Sequence, residues 1–267
     1  MFGRRGVVGA LGAAALVGTA HAQGAQIRVG FFPGPYADQF RRAIQPGLER
    51  AGHRVTVTEF SNVIQLNTAV MDGALDANIF QNRAFMETFN ERNRGDLREM
   101  LRIPSAPLGL YSRAVQNLDG IRPGMRIAIP NDPTNSGRAL AFLATLNLIT
   151  LDPAVQPARA TTRNVTGNPR NLQFVPLDAP QMPRALPDVD LAAILGNHVI
   201  AAGMLLSSAI ALEDPAPEFQ IIIAARAGNA ETPWMRDLLA AYRSPEFREF
   251  IANDPRSRGF STPDYWR

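Results

Sequence analysis

Between residues 27 and 225 short apolar runs alternate with amphipathic helical patterns. That order admits few folds. Strand-like runs cover residues 27–32, 54–60, 74–82, 126–130, 172–177, 189–195 and 219–225. Helical spacing covers residues 37–51, 63–71 and 83–93, a stretch opening at Pro133, a short proline-entered piece at 179–186, and two closing segments at 232–242 and 245–253. Strands separated by helices of about 10–15 residues indicate βαβ units, hence a parallel sheet with helices on both faces. In such sheets ligands sit beyond the carboxyl ends of the strands, where the strand order switches. Pro46 should break or kink the 37–51 helix, because proline removes an N–H and crowds the preceding turn. Residues 103–111, interrupted by Pro104 and Pro107, read as extended chain, and residues 152–169 as largely irregular.

The most informative junction is Asn131-Asp132-Pro133-Thr134-Asn135-Ser136-Gly137-Arg138-Ala139-Leu140. Asp132 suits an N-cap and Pro133 the first helical position, where a missing N–H costs nothing. Gly137 is expected to leave the first turn open, so that backbone N–H groups and the positive helix end face a small anion. Arg138 then lies one turn in, at the wrong end of the dipole for a cation. A carboxylate held by the guanidinium fork explains that placement. Asn135, in the same stretch, joins Arg138 as a candidate ligand contact.

Composition removes whole classes of chemistry. There is no cysteine, which excludes disulfides, thiol catalysis and cysteine-based metal sites. All 27 Lys+Arg residues are arginine, which excludes a P-loop lysine and Schiff-base chemistry. No basic run interleaved with aromatics points to nucleic acid. No Gly-x-Ser-x-Gly elbow, metal-ligand spacing or paired-carboxylate motif is present, and Ser136 has no evident base. No enzyme activity, no cofactor and no metal are therefore expected.

The amino terminus reads as a cleavable export signal over residues 1–22. Arg4 and Arg5 precede a Gly/Ala-rich apolar run, and Ala20-His21-Ala22 is an A-x-A cleavage site. The expectation is a periplasmic protein that carries no lipid anchor, since it has no cysteine.

Further candidates come from strand ends. Asn82 ends the 74–82 run, and Ala77-Asn78-Ile79-Phe80-Gln81-Asn82 is echoed by Ala192-Ala193-Ile194-Leu195-Gly196-Asn197 at Ala, Ile and Asn. Two similar α/β lobes, each offering an asparagine to one cleft, match a binding protein that closes on its ligand by hinge motion. Tyr36, after the Gly34-Pro35 turn, is a further cleft-lining candidate. His198 borders Asn197, with no partners for a metal role.

On these segments the chain resembles the methionine-binding lipoprotein family, the NlpA-type substrate-binding subunits of D/L-methionine ABC importers. The residues that carry the resemblance are Ile27-Arg28-Val29-Gly30 with Gly34-Pro35, Asp76 to Gln81, Asn131 to Leu140, and Ala179-Pro180-Gln181-Met182-Pro183-Arg184. The resemblance implies the type II periplasmic binding protein fold, with lobe I at 23–112 and 219–267, lobe II at 113–218, and crossing strands near Tyr111 and Phe219. It implies that Arg138 holds a ligand carboxylate, that Asn197 bonds the polar head group, and that aromatics around Phe80 enclose the ligand side chain.

Departures fall in the pocket. Where the family typically has His and then Tyr, this chain has Asn82 and Phe85. The Asn-x-x-Tyr-Ala pattern becomes Asn197-His198-Val199-Ile200-Ala201, and Ile221 stands where a family asparagine is expected. The resemblance thus implies a monomeric importer subunit that captures a small α-amino acid, methionine or a relative, and delivers it to a permease and ATPase. A periplasmic sensor for a small carboxylate, or a hydrolase on the same fold, are the alternatives.

Overall fold

The computed structural model describes residues 24–266. The expected export signal lies outside the described residues. From the amino end the chain forms β1 (Gln26–Phe31) and then a helical rod made of α1 (Pro35–Gln39), a π-helical turn (Phe40–Ile44) and α2 (Gln45–Arg50). Pro46 lies in the first turn of α2, and the Gln45 N–H reaches back five residues to the Phe40 carbonyl. The expected kink is thus absorbed by one widened turn, which accommodates the missing N–H.

Next come β2 (Arg54–Glu59), α3 (Val63–Met71), β3 (Ala77–Asn82), α4 (Arg83–Asn93) and β4 (Leu97–Arg102). After a crossing segment follow β5 (Gly109–Tyr111), β6 (Arg126–Pro130), α5 (Pro133–Thr145), β7 (Thr150–Leu151), β8 (Val165–Gly167) and β9 (Gln173–Leu177). The second part is completed by α6 (Met182–Ala185), β10 (Leu191–Ile194), α7 (Gly196–Ala201) and β11 (Ala211–Leu212). A return crossing leads to β12 (Ile221–Arg226), α8 (Pro233–Arg243) and α9 (Pro245–Asn253).

Two five-stranded sheets result, ordered β2-β1-β3-β12-β4 and β11-β5-β10-β6-β9. Each has a parallel half, β2-β1-β3 in one and β10-β6-β9 in the other. To these βαβ halves each sheet adds antiparallel pairing: β12 is antiparallel to both β3 and β4, and β5 to both β10 and β11. The reason is connectivity: a chain that passes from one lobe to the other and back enters each sheet against the βαβ direction. Both sheets bury apolar side chains on both faces. In the first, Val29, Ile79 and Ile223 pack with Phe40, Leu238 and Phe247, while Ile222 and Ala224 meet Val70, Met86 and Phe89 behind. In the second, Ile127 and Leu191 pack with Leu140 and Leu143, and Ala128 and Ile194 with Met182 and Val199.

The crossing segments, residues 103–108 and 213–220, run side by side. The Ile103 N–H donates to the Ile221 carbonyl (2.8 Å), and the Glu213 N–H to the Leu108 carbonyl (2.8 Å). The Ile221 N–H donates to Ser105 Oγ (2.7 Å).

Candidate functional site

A cavity of about 320 Å3 opens between the lobes, within the range typical of small-ligand sites. Every candidate from the sequence lines it: Tyr36, Phe80, Asn82 and Phe85 from the first lobe, Asn135, Arg138 and Asn197 from the second. Ile221 lines it too, as does His198.

The first-lobe wall is set by β3 running directly into α4. Asn82 ends the strand and caps the helix, its Oδ1 accepting the Phe85 N–H at 2.8 Å. That bond places Phe85 edge-on to Phe80, with ring centroids 6.0 Å apart, and forms an apolar corner. Beneath it lies a closed ring of amides. Asn67 donates to Gln81 Oε1 (2.8 Å), and Gln81 donates to Asn67 Oδ1 (2.6 Å) and Asn78 Oδ1 (2.9 Å). All three are buried, so each donor and acceptor satisfied there fixes the strand end. Tyr36 stands on the same side, its hydroxyl accepting the Ala106 N–H at 3.0 Å. Burial pushes that hydroxyl above its ordinary pKa, so it stays protonated.

The second-lobe wall is the first two turns of α5. Asp132 caps the helix by accepting the Asn135 N–H (3.0 Å), and both its oxygens accept the Asn135 side-chain amide (3.1 and 3.0 Å). The Asn135 Oδ1 is thereby turned away from Asp132, and it is buried without a hydrogen-bond partner among the described residues. Gly137 does not leave the turn open to an anion. A methyl group there would sit 2.4 Å from the Pro157 carbonyl oxygen, so the glycine lets the 157–160 backbone lie against the helix.

Arg138 has found its carboxylate inside the protein. Nε donates to both oxygens of Glu213 (2.9 and 3.1 Å) and Nη2 to Oε2 (2.5 Å), with side-chain exposures of 4% and 9%. The Leu108 N–H adds a fourth hydrogen bond to Glu213 (3.2 Å), and the Phe219 ring lies 5.1 Å from the guanidinium carbon. One edge of the fork is therefore filled. Nη1 makes no hydrogen bond among the described residues. Sequence reasoning missed Glu213 because nothing local links positions 75 apart; an acid leading a Pro-rich return segment was the only signal. Asp132, legible in the sequence as a cap, also lines the cavity.

His198 faces Phe32 edge-on at 5.5 Å. Burial lowers its pKa to about 4, which keeps the imidazole neutral. Thr134 Oγ1 donates to Thr88 Oγ1 across the cleft (3.3 Å), and Arg159 pairs with Glu91 (2.7 Å). Among the described residues no group of His, Asp and Glu is placed to hold a metal, and no helix is long and apolar enough to cross a membrane.

Known proteins share this fold. A family model described as NlpA lipoprotein matches residues 27–263. Lipoprotein 28 of Escherichia coli K12 is 34% identical over 223 residues, 82% of each chain, and the D-methionine-binding lipoprotein MetQ of the same strain is 32% identical over 251 residues, 91% of each. A nutrient binding protein from Burkholderia cenocepacia, solved bound to methionine, superposes with a TM-score of 0.81 at 34% identity, covering 87% of this chain and 97% of that one. A periplasmic substrate-binding protein of an ABC transporter from Coxiella burnetii gives a TM-score of 0.82 at 33% identity, covering 89% of this chain and 100% of that one. The expectation of a protein without a lipid anchor is overturned by these matches, because the family and both curated relatives are lipoproteins. Cysteine content speaks only to acylation at sulfur and is too narrow a basis for placing the chain in free solution. The fold is the two-lobed type II periplasmic binding architecture, and the chain belongs to the NlpA lipoprotein family.

Proposed function

We propose that this chain is the substrate-binding subunit of an ABC importer, and that it captures an α-amino acid, methionine or a close relative, in the interlobe cavity. The observation that carries the reading is the cavity itself. Both lobes contribute to it, the second with polar groups (Arg138, Asn135, Asn197) and the first with the Phe80–Phe85 corner. A ligand with a charged head and an apolar tail fits that division. In this reading Arg138 offers Nη1 to the ligand carboxylate, Asn197 bonds the head group, and Asn82 contributes its amide N–H groups, since its carbonyl oxygen is engaged by the helix cap. Tyr36, Phe80 and Phe85 enclose the rest.

The lobes divide near residues 112 and 218, with the paired crossing segments as hinge, and the subunit acts as a monomer that docks on a permease coupled to an ATPase. Relatives named for D-methionine binding and a homologous fold holding methionine support this ligand class. The replacement of the family's expected tyrosines by Phe85 and Ile200 favours a side-chain preference of its own.

A thermal-shift panel of the amino acids on refolded, ligand-free protein tests the proposal. A ligand at 100 times its Kd should stabilise the fold by about 2.7 kcal/mol. The expected result is a raised midpoint with methionine or another amino acid of similar size; an unmoved midpoint across the panel would refute it.

A further inference from the structure

The charges around the cavity do not suit a plain carboxylate. The charged side chains lining it are Asp132, Asp178 and Arg138, and Arg138 is already neutralised by Glu213. A bare anion would enter a site with two lining acids and no uncommitted cation. Asp132 is in the opposite position: no arginine or histidine nitrogen lies within 4.0 Å of it among the described residues. Its Oδ2 accepts only from the Asn135 amide (3.0 Å), although a carboxylate has about four acceptor positions. Next to it, Asn135 Oδ1 is buried with no donor at all. The Asn135 orientation is not arbitrary, since reversing it would set an amide oxygen against both oxygens of Asp132. One unpartnered acceptor beside a carboxylate with spare acceptor positions, on one wall of a ligand cavity, calls for a multivalent donor that carries positive charge.

We infer that Asp132 is the residue that recognises the ligand's ammonium group, with Asn135 Oδ1 as second acceptor, and that the Glu213–Arg138 pair makes the cavity reject carboxylates lacking an amine. This inference rests on the proposed amino-acid-binding role and assigns its selectivity to named residues. Asp132 accordingly has two tasks, capping α5 and reading the ligand. Burial raises its carboxyl above the ordinary carboxylate value, against the opposing effect of the Asn135 bonds and of Arg138. A cationic ligand reverses that trend. Ammonium and carboxylate are then read by residues six apart on one helix, with Asn135 between them.

The test is calorimetry of ligand-free protein with methionine and with desamino-methionine, the same molecule without its α-amino group. Wild type should bind methionine at least about 100-fold more tightly, because the analogue leaves buried acceptors unpaired. Asp132→Asn keeps a good helix cap. It should weaken methionine about 30-fold or more while desamino-methionine binds as well as before or better. Equal wild-type affinity for the two compounds would overturn the inference while leaving the binding role intact. Undiminished preference for methionine in a folded Asp132→Asn protein would do the same. Failure of wild type to bind methionine or any other amino acid would overturn the underlying role and the inference with it.

Discussion

Arg138 and Glu213 meet edge to edge, the Nε and Nη2 groups of one reaching both carboxylate oxygens of the other at 2.5–3.1 Å. The pair links the ligand-facing helix α5 to residue 213, which also accepts from Leu108 on the opposite crossing segment. The α5 wall of the cavity and the two crossing segments are therefore joined in one hydrogen-bonded unit. A guanidinium held on one edge by protein presents its free edge in a fixed direction, which limits the orientations open to a ligand carboxylate.

Breaking this pair from either side should be costly. Glu213→Ala leaves Arg138 buried and unpaired, and Arg138→Ala does the same to Glu213; each should lose about 3–5 kcal/mol of folding stability. Replacing both, as Arg138→Met with Glu213→Leu, should cost clearly less than the two single losses added. Urea denaturation of the three variants measures this, and strict additivity would show that the two groups do not depend on each other.

The amide ring beneath the first-lobe wall makes a second prediction. Asn67→Ala removes the partner of both Gln81 and Asn78. Each buried amide left unsatisfied should cost about 1–3 kcal/mol. Because Gln81 also lines the cavity, ligand affinity should fall together with stability. Denaturation and a binding isotherm on the same preparation check both; a neutral Asn67→Ala would mean the ring is dispensable.

Gly137 offers a test in which two effects oppose each other. In a free helix Gly→Ala would stabilise by about 1 kcal/mol. Here the added methyl meets the Pro157 carbonyl oxygen at 2.4 Å, and overpacking against backbone typically costs about 1–3 kcal/mol. Gly137→Ala should therefore lower the thermal midpoint. A raised midpoint would show that residues 157–160 yield freely.

Much of this arrangement is legible in the sequence. Period-3.6 and period-2 patterns locate the longer helices and the buried strands, and the Asp-Pro-Thr-Asn junction marks the start of α5. The echo between residues 77–82 and 192–197 corresponds to β3 and β10, each third of five strands in its sheet, with Asn82 and Asn197 on the same cavity. What escapes is non-local. β4 alternates poorly because Arg98, Glu99 and Arg102 sit on an edge strand, where charge is tolerated. β7 and β8 form a two-stranded ribbon inside a stretch that composition marks as irregular. The Glu213 partnership and the packing of Pro157 on Gly137 join segments whose proximity depends on the finished fold.

His198 gives a pH dependence of definite sign. Its pKa falls from 6.5 to about 4 on folding because burial disfavours the charged ring. Between those values the unfolded chain binds the extra proton, so stability is complete above about pH 6.5 and declines as the pH drops toward about 4. The decline should reach up to about 3 kcal/mol. His198→Gln should flatten it, and the difference between the two profiles separates it from Asp132, whose raised pKa acts in the opposite direction. An assigned His198 ring resonance titrating near pH 6.5 in the folded protein would contradict the prediction.

In the proposed function one interlobe cavity binds one α-amino acid, with its head group held by Asn197 and the α5 wall. Calorimetric titration of refolded, ligand-free protein with L- and D-methionine tests it most directly when repeated on Asn197→Ala. Saturable one-to-one binding of at least one enantiomer, weakened about tenfold or more in the variant by loss of about 1.4 kcal/mol or more, is the expected result. Absence of binding for both enantiomers and for all other amino acids, or an affinity that Asn197→Ala leaves unchanged, would contradict it.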